Sequence, residues 1–270
     1  MGGDTPSRIT ALRAQGFRNL ASLSFEPGPH FNVIHGDNGA GKSNLLEGIY
    51  YLGALKSFRG AKTDDLVALG EDRASIEAML EGGPAPQKLR IDIGRSQRRR
   101  IQLDGKRPRS TSAWYHTLRM VLFHPGDLVL ASGSADKRRG FLDRILEQMD
   151  PVYASTLSSY EKALRSRNRL LKEERPDRRS VRAYDAILSK AGAIVGHARR
   201  RLIEDLGPRV ERAFTDVFAG DTPLDVRYLP RVEPSEDAIA EALERAYMKD
   251  CARGFTADGP HGDDLELRLH

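Results

Sequence analysis

Apolar and polar residues alternate over much of the N-terminal part of the chain, as half-buried strands require. The alternation predicts two strands within residues 8–25, joined by a turn at Phe17-Arg18-Asn19. Three further antiparallel strands are predicted over residues 74–80, 88–93 and 98–103. Asp104-Gly105 is a strong signal for a two-residue hairpin turn. We therefore expect the first part of the chain to contain a β-rich lobe.

The pattern changes to helical spacing after residue 135. Two long polar segments, 152–174 and 181–206, are predicted to form an antiparallel helical arm with a turn at Pro176. Gly207-Pro208 is expected to break the second helix, and a shorter helix then runs to Phe218. Residues 224–229 are a candidate strand, and Ser235 is a good N-cap for a following helix. The last residues alternate again at Leu265, Leu267 and Leu269.

Two short apolar runs interrupt these patterns and are predicted to be strands. One is Phe31-Asn32-Val33-Ile34, and the other is Met120-Val121-Leu122-Phe123. The first leads into GDNGAGKS, residues 36–43, which fits the phosphate-loop pattern G-x-x-x-x-G-K-[ST]. A helix to about residue 55 is predicted after the loop, because Leu45, Leu46 and Ile49 fall at helical spacing.

The phosphate-loop pattern has a chemical reason. Its glycines let the backbone approach a ligand closely, and successive N–H groups then form a concavity that suits phosphate oxygens. Lys42 is expected to reach the β- and γ-phosphates, and Ser43 to offer its hydroxyl to Mg²⁺. The alternative is a chance glycine-rich turn, which the flanking strand and helix signals disfavour. The predicted ATP site consists of Gly36, Asp37, Asn38, Gly39, Ala40, Gly41, Lys42 and Ser43.

Composition narrows the class of protein. The 270 residues carry a net charge of +5 and one cysteine, Cys251, so no internal disulfide framework or cysteine metal cluster is possible. We find no signal-peptide core and no run as long as a membrane span, so a cytoplasmic protein is expected. The histidines are scattered without metal-ligand spacing, so no zinc site is predicted.

Basic residues cluster in two places, and such density attracts phosphate backbones. The first cluster lies in the β-rich part and gives the DNA-binding candidates Arg98, Arg99, Arg100, Lys106 and Arg107. The second lies on the helical arm, where DNA contact and an ordinary solvated face remain equally open. Neither cluster is interleaved with aromatic residues, so we expect contact with the DNA backbone rather than base stacking.

Several short elements occur in a specific order. They are Phe17-Arg18-Asn19, GDNGAGKSNLLEGI, Ser57-Phe58-Arg59-Gly60, FHPGDL at 123–128, RRGFLD at 138–143 and GPHGDDL at 259–265. Together they resemble the RecF family of bacterial DNA replication and repair ATPases over nearly the whole chain. The RR-x-FLD and GPH-x-DDL elements distinguish this family from its SMC-like relatives.

The resemblance implies an α/β fold, a P-loop ABC-type ATPase head with a β-rich subdomain and a helical, coiled-coil-like second lobe. It implies an ATP-binding lobe over residues 1–135, a mostly helical lobe over 136–253, and a truncated return to the ATPase core over 254–270. It also implies ATP-dependent dimerisation, binding to single-stranded, gapped or junction DNA, a role in recombinational repair and the SOS response, and partners of the RecO and RecR type.

The chain departs from the family pattern in three places. Position 126 is Gly where Glu is usual, and position 262 is Gly where Arg is usual. No apolar run followed by Asp-Glu, the usual Walker B element, occurs in the sequence, and no signature motif follows Asp264. Hydrolysis needs a metal-holding carboxylate and a group that orients water, so we expect nucleotide binding more firmly than catalysis.

Some interpretations stay open. By resemblance, Asp127 is a candidate Mg²⁺ contact, and an ordinary turn-capping Asp is the equal alternative. For Asp263 and Asp264 we prefer a turn followed by a strand to a metal or acid–base site. At the level of the protein, the alternatives to a RecF-type ATPase are a truncated nucleotide-binding module without turnover, another SMC-like P-loop ATPase, and a small-molecule kinase. The polar arm and the basic hairpin argue against the kinase.

Overall fold

A five-stranded antiparallel sheet is the centre of the first of two units, Met1–Leu122, in the computed structural model of the chain. The structure describes residues 7–115, 117–218, 220 and 222–270. The strands lie in the order β2-β1-β3-β4-β5. Their bounds are β1 Arg8–Phe17, β2 Leu20–Phe25, β3 Arg73–Glu81, β4 Gln87–Gly94 and β5 Arg100–Leu103. All five strands expected from the alternation are confirmed, with a turn at Arg18 and Asn19.

The two faces of this sheet follow the alternation. Ile76 lies opposite Ile91 and Ala78 opposite Leu89, and all four side chains are buried. Helix α1, Lys42–Ala54, packs on this apolar face, where Gly48 brings the helix close to Ile76. A short helix, α2, spans Thr111–Tyr115, and the indole of its Trp114 donates a 2.6 Å hydrogen bond to the Leu52 carbonyl. The sheet thus carries the helix that follows the phosphate loop.

The two apolar runs predicted to be strands are not strands. Residues 31–34 and 120–123 have no assigned regular structure, and the side chains of Phe31 and Val33 are 98% and 86% exposed. Val121 and Phe123 are also exposed. A strand needs a hydrogen-bonded neighbour, and neither run pairs with a strand among the described residues. Strand propensity alone therefore does not order these runs.

The second unit, Phe123–His270, is mostly helical. Its elements are α3 Val129–Ser132, α4 Ala135–Met149, α5 Pro151–Leu170, α6 Arg178–Val217, β6 Leu224–Leu229, α7 Glu236–Arg253 and β7 Asp264–Leu269. Helices α5 and α6 run antiparallel, since Tyr160 lies near Gly192 while Arg167 contacts Asp185. Strands β6 and β7 form a two-stranded antiparallel sheet. The expected arm, the turn at Pro176 and both strands are confirmed. Within the described ranges, we find no helix with the length and apolar character needed to cross a bilayer.

The predicted break at Gly207-Pro208 is wrong, because α6 continues through it to Val217. An internal proline costs about 3 kcal/mol through its missing N–H and its steric clash. The buried side chains of Leu202 and Ile203 pack in one cluster with the partly buried Leu206, and burying such a side chain contributes about 1.5–3 kcal/mol. Packing of the helix therefore outweighs the local cost of the proline.

Two segments of the second unit that are far apart in sequence are joined by ion pairs. Arg138 donates to both carboxylate oxygens of Asp264, at 2.7 and 2.9 Å, and Arg139 donates to the Asp263 carbonyl. Arg199 bridges the same segments, because it donates to Asp143 and to the Pro260 carbonyl. The hydrogen bond from Arg138 lowers the pKa of Asp264. The RR-x-FLD and GPH-x-DDL elements are thus paired parts of one scaffold.

A second buried cluster surrounds Arg167, whose side chain is fully buried on α5. Its guanidinium donates to Asp185 at 2.6 Å, to Asp250 at 2.7 Å and to the Thr256 hydroxyl at 2.8 Å. These partners lie on α6, on α7 and in the loop after α7. One buried cation therefore ties three parts of the unit together.

Replacing Arg167 with Met should strongly destabilise the second unit, because it leaves the carboxylates of Asp185 and Asp250 without their cation. Breaking such a pair costs about 3–5 kcal/mol of unfolding free energy. Arg165→Met is the matched control, since Arg165 is exposed and pairs with Glu161 on the same helix. Its expected effect is below about 1 kcal/mol. Urea unfolding followed by far-UV circular dichroism measures both. Equal effects of the two substitutions would contradict the assignment.

His261 is another buried polar group, and both of its ring nitrogens have partners. The Tyr160 hydroxyl lies 2.6 Å from Nδ1, and Nε2 lies 3.0 Å from the Thr256 carbonyl. A carbonyl only accepts, so Nε2 carries the proton and Nδ1 accepts from Tyr160. Burial lowers the pKa of His261 below its usual value of 6.5. Burial in the folded protein therefore favours the neutral form of this side chain.

The unfolding free energy should fall as the pH falls from about 7.5 to about 5.5, because the unfolded chain then binds a proton that folded His261 does not. This one site contributes at most about 1.4 kcal/mol per pH unit. His261→Gln should reduce this slope relative to the parent. Urea titrations across the pH range give the slopes. The same slope in His261→Gln and the parent would rule out this contribution.

Candidate functional site

The phosphate loop, residues 36–43, runs directly into α1. Gly36, Gly39 and Gly41 all have positive φ, at 137°, 88° and 94°. A Cβ at Gly41, the N-cap of α1, would lie 2.8 Å from Asn19 Oδ1, so only glycine fits there. The Lys42 ammonium donates 2.7 Å hydrogen bonds to the carbonyls of Gly36 and Asp37. The loop therefore curls around its own lysine.

A cavity of about 380 Å³ opens at this loop. It is lined by Asn19, Asn38, Gly39, Gly41, Lys42, Ser43, Asn44 and Arg59. These eight residues are glycines, amides, one hydroxyl and two cations, so the lining side chains carry only neutral or positive groups. The first N–H groups of α1 have no intrahelical acceptor, and its N-cap glycine offers no side-chain cap. Such a site suits an anion with several oxygens, such as a chain of phosphates.

Three lining residues, Asn19, Asn44 and Arg59, were not predicted as site residues. Asn19 donates to the Gly39 carbonyl at 2.8 Å and accepts from the Asn44 amide at 2.7 Å. Arg59 donates to the other side of Asn44, at 2.8 Å from Nη1 to Oδ1. The sequence signal was present, because Asn19 and Arg59 belong to two of the elements that carry the family resemblance. Their role becomes visible only when three distant segments meet.

The predicted residues have different positions in this geometry. Asn38, Gly39, Gly41, Lys42 and Ser43 line the cavity, whereas Gly36 and Asp37 hold the lysine through their carbonyls. The Ala40 N–H donates to the Asp37 carbonyl and shapes the turn. Ser43 is exposed.

Asp127 lies in the second unit, in a 3₁₀ turn, and its carboxylate accepts from the His124 N–H at 2.9 Å. This contact supports the turn-capping interpretation of Asp127. Asp264 is paired with Arg138 as described above, and the Asp263 carboxylate accepts from the Arg231 N–H at 2.7 Å. Strand β7 begins at Asp264, as the preferred interpretation of a turn and strand expected. Among the described residues, no three His, Cys, Asp or Glu side chains are grouped as a metal site would require.

Some basic residues of the β-rich part contact other groups of the protein, whereas others are exposed to solvent. Arg90 pairs with Glu77 and Asp92, and the hydrogen bond with Asp92 raises its pKa. Arg95 donates to four backbone carbonyls, and the half-buried Arg99 donates to the Leu55 carbonyl. Five further cations of the cluster are exposed and take part in none of these contacts: Arg98, Arg100, Lys106, Arg107 and Arg109. They surround β5 and the Asp104-Gly105 turn, where both residues have positive φ as a tight hairpin turn requires.

Several basic residues of the arm are buried or form ion pairs within the protein. Arg167 is buried, and Arg178 and Arg182 both pair with Glu244. Arg165 pairs with Glu161. These contacts favour a structural or solvated role for this part of the arm.

Comparison with known proteins agrees with the residue-level resemblance. The RecF/RecN/SMC N-terminal domain family matches residues 8–166. The DNA replication and repair protein RecF of Myxococcus xanthus is 34% identical over 273 residues, covering 97% of this chain and 72% of that protein. RecF of Anaeromyxobacter sp. (strain Fw109-5) is 35% identical over 272 residues, covering 97% and 73%.

Two solved structures are similar over nearly the whole chain. Both are of the recombination mediator protein RecF in the RecFOR pathway, one described as RecF-ATP and one as RecF-ATPrS. The first has a TM-score of 0.93 at 25% identity and covers 99% of this chain and 74% of its own. The second has a TM-score of 0.91 at 27% identity and covers 98% and 74%. The chain has the ATPase-head fold of these proteins, and it belongs to the RecF family of DNA replication and repair proteins.

Proposed function

We propose that this protein binds ATP with Mg²⁺ at the phosphate loop and uses the bound nucleotide to control its association with DNA. The observation that carries the proposal is the donor-rich cavity in front of α1. A triphosphate needs cations and N–H groups that converge on its oxygens, and Lys42, Arg59 and the first turn of α1 supply them. The similarity to structures described as RecF-ATP supports the same ligand.

The Mg²⁺ would be held by the triphosphate oxygens and by Ser43. Mg²⁺ keeps several waters and often takes only one or two protein ligands at phosphate sites. The exposed Ser43 hydroxyl, in the first turn of α1, fits that role. The metal would neutralise phosphate charge beside Lys42. The proposal concerns binding, because a carboxylate that holds the metal and a group that orients water remain unassigned.

The DNA-binding surface that we propose is the exposed part of the basic hairpin, Arg98, Arg100, Lys106 and Arg107. Together with Arg109, they make five exposed cations on or near β5 and its turn. Such a group gives a local positive potential that attracts phosphates. Arg99 was among the predicted DNA contacts, but its guanidinium bonds the Leu55 carbonyl, so a supporting role is the better assignment.

At the level of the cell, we propose a protein of replication and recombinational repair that acts on single-stranded, gapped or junction DNA in the SOS response. It would dimerise when ATP binds and would work with RecO- and RecR-type partners in the cytoplasm. The relatives that carry this proposal are named as replication and repair proteins, and two solved relatives are described as members of the RecFOR pathway.

Replacing Lys42 with Ala should weaken ATP binding about 10- to 100-fold, because it removes charge-assisted hydrogen bonds to phosphate. It should also abolish ATP-driven dimerisation. Lys190→Ala, at an exposed position on α6, is the control and should behave as the parent. Fluorescence of N-methylanthraniloyl-ATP with Mg²⁺ reports affinity, and sedimentation velocity reports dimers. ATP-driven dimerisation of Lys42→Ala at the parent level would show that the phosphate-loop assignment is wrong.

Removing the four hairpin charges by replacing Arg98, Arg100, Lys106 and Arg107 with Ala should weaken DNA binding and flatten its salt dependence. Each lost phosphate contact lowers the slope of log K against log salt by about 0.9 for duplex DNA and about 0.7 for single strands. The matched control removes four arm charges, at Lys162, Arg165, Arg175 and Arg179. Fluorescence anisotropy over a salt series measures both. A hairpin variant with the parent slope would mean that these cations are only a solvated face.

A further inference from the structure

Glu47 lies on α1 five residues after Lys42, and its carboxylate is completely buried. It does not line the cavity. A buried carboxylate is costly unless cations and hydrogen bonds surround it. The partners of Glu47 come from two turns, one before the phosphate loop in the sequence and one after it.

The first partner is Arg18, in the turn between β1 and β2. Its Nε donates to one oxygen of Glu47 and its Nη2 to the other, each at 2.9 Å. Arg18 has positive φ, 54°, which is uncommon for a residue other than glycine. The bidentate pair therefore holds an unfavourable backbone conformation. The next residue is Asn19, which bonds the Gly39 carbonyl of the phosphate loop.

The second set of partners lies in the turn at residues 57–60. The Ser57 hydroxyl donates to Glu47 Oε1 and accepts from the Arg59 N–H at 3.0 Å. The Arg59 guanidinium lies 3.7 Å from Glu47 Oε2, and it donates to Asn44 at 2.8 Å. Glu47 thus contacts both the backbone and the side chain of the turn that brings Arg59 to the cavity.

These contacts form a closed ring that includes three of the side chains lining the cavity. Asn44 joins the two halves, since it donates to Asn19 and accepts from Arg59. The turns that carry Asn19 and Arg59 both contact the buried carboxylate of Glu47.

We infer that Glu47 is a positioning residue for triphosphate binding, which fixes Asn19 and Arg59 at the rim of the cavity. The inference rests on the proposed ATP site and adds a residue that acts through others. Its consequence is that the two turns, although far apart in sequence, respond together to the charge on Glu47. Substituting Gln preserves the shape of the side chain and removes its charge, so Arg18 and Arg59 lose their shared counterion.

The first test needs no nucleotide. Hydrogen–deuterium exchange of the full chain should show faster exchange at residues 17–20 and 57–60 in Glu47→Gln, with little change in β3 and β4. Glu77→Gln is the matched control, because Glu77 in the same unit also pairs with two cations, Lys88 and Arg90, but lies on β3 and not at the cavity. Unchanged exchange at both turns in Glu47→Gln would overturn the inference, whether or not ATP binds.

Ser57→Ala is a second variant in case Glu47→Gln unfolds. It removes the hydrogen bond to Glu47 together with the acceptor of the Arg59 N–H, and it leaves the pair with Arg18. Exchange should then rise at residues 57–60 and stay at the parent level at residues 17–20. Equal protection of residues 57–60 in the parent and in Ser57→Ala would contradict the role assigned to the Glu47–Ser57 contact.

The second test measures the affinity for N-methylanthraniloyl-ATP with Mg²⁺. Glu47→Gln should weaken binding about tenfold, the effect of losing one charged hydrogen-bond partner. Because Glu47 acts partly through Arg59, the same substitution in an Arg59→Ala background should have a smaller effect than in the parent. Full additivity of the two substitutions would overturn the route through Arg59. Absence of ATP binding by the parent would instead refute the proposed function and leave the exchange test to decide the role of Glu47.

Discussion

A buried charge must meet an opposite charge, and this constraint determines where distant parts of the chain come together. Glu47 is the clearest case in the first unit, because α1 carries its carboxylate into the interior. Arg18 approaches from the turn after β1, and Ser57 and Arg59 approach from the turn after α1. Asn19 and Arg59, which line the cavity at the phosphate loop, belong to the same two turns.

The second unit obeys the same constraint with the signs reversed. Arg167 and Arg199 are buried cations there, and they pair with carboxylates from other helices, among them the buried Asp250. Several of the elements that carry the family resemblance therefore meet in polar clusters. In the first unit, residues 17–19 and 57–60 meet at Glu47. In the second unit, RRGFLD and GPHGDDL meet through Arg138 and Asp264.

The two exposed apolar runs show that strand propensity alone does not form a strand. Phe31 and Val33 have strand-forming side chains, yet they are almost fully exposed and unpaired among the described residues. The phosphate loop that follows is held instead by α1 on one side and by the Asn19–Gly39 hydrogen bond on the other. The opposite outcome occurs in α6, where packing carries the helix through a proline that local rules treat as a break.

The sequence by itself determined the features that depend on near neighbours. The phosphate-loop pattern, the helix after it, the five alternating strands, the N-cap at Ser235 and the antiparallel arm were all predicted from spacing of a few residues. Only the tertiary structure decided which basic residues of the hairpin are exposed, which apolar runs pair, and that Asn19, Asn44 and Arg59 share one cavity. The reason is physical. Periodicity depends on residues that are near neighbours in the chain, whereas a buried charge or a strand edge pairs with a distant segment. Nothing in the local sequence indicates which segment that is.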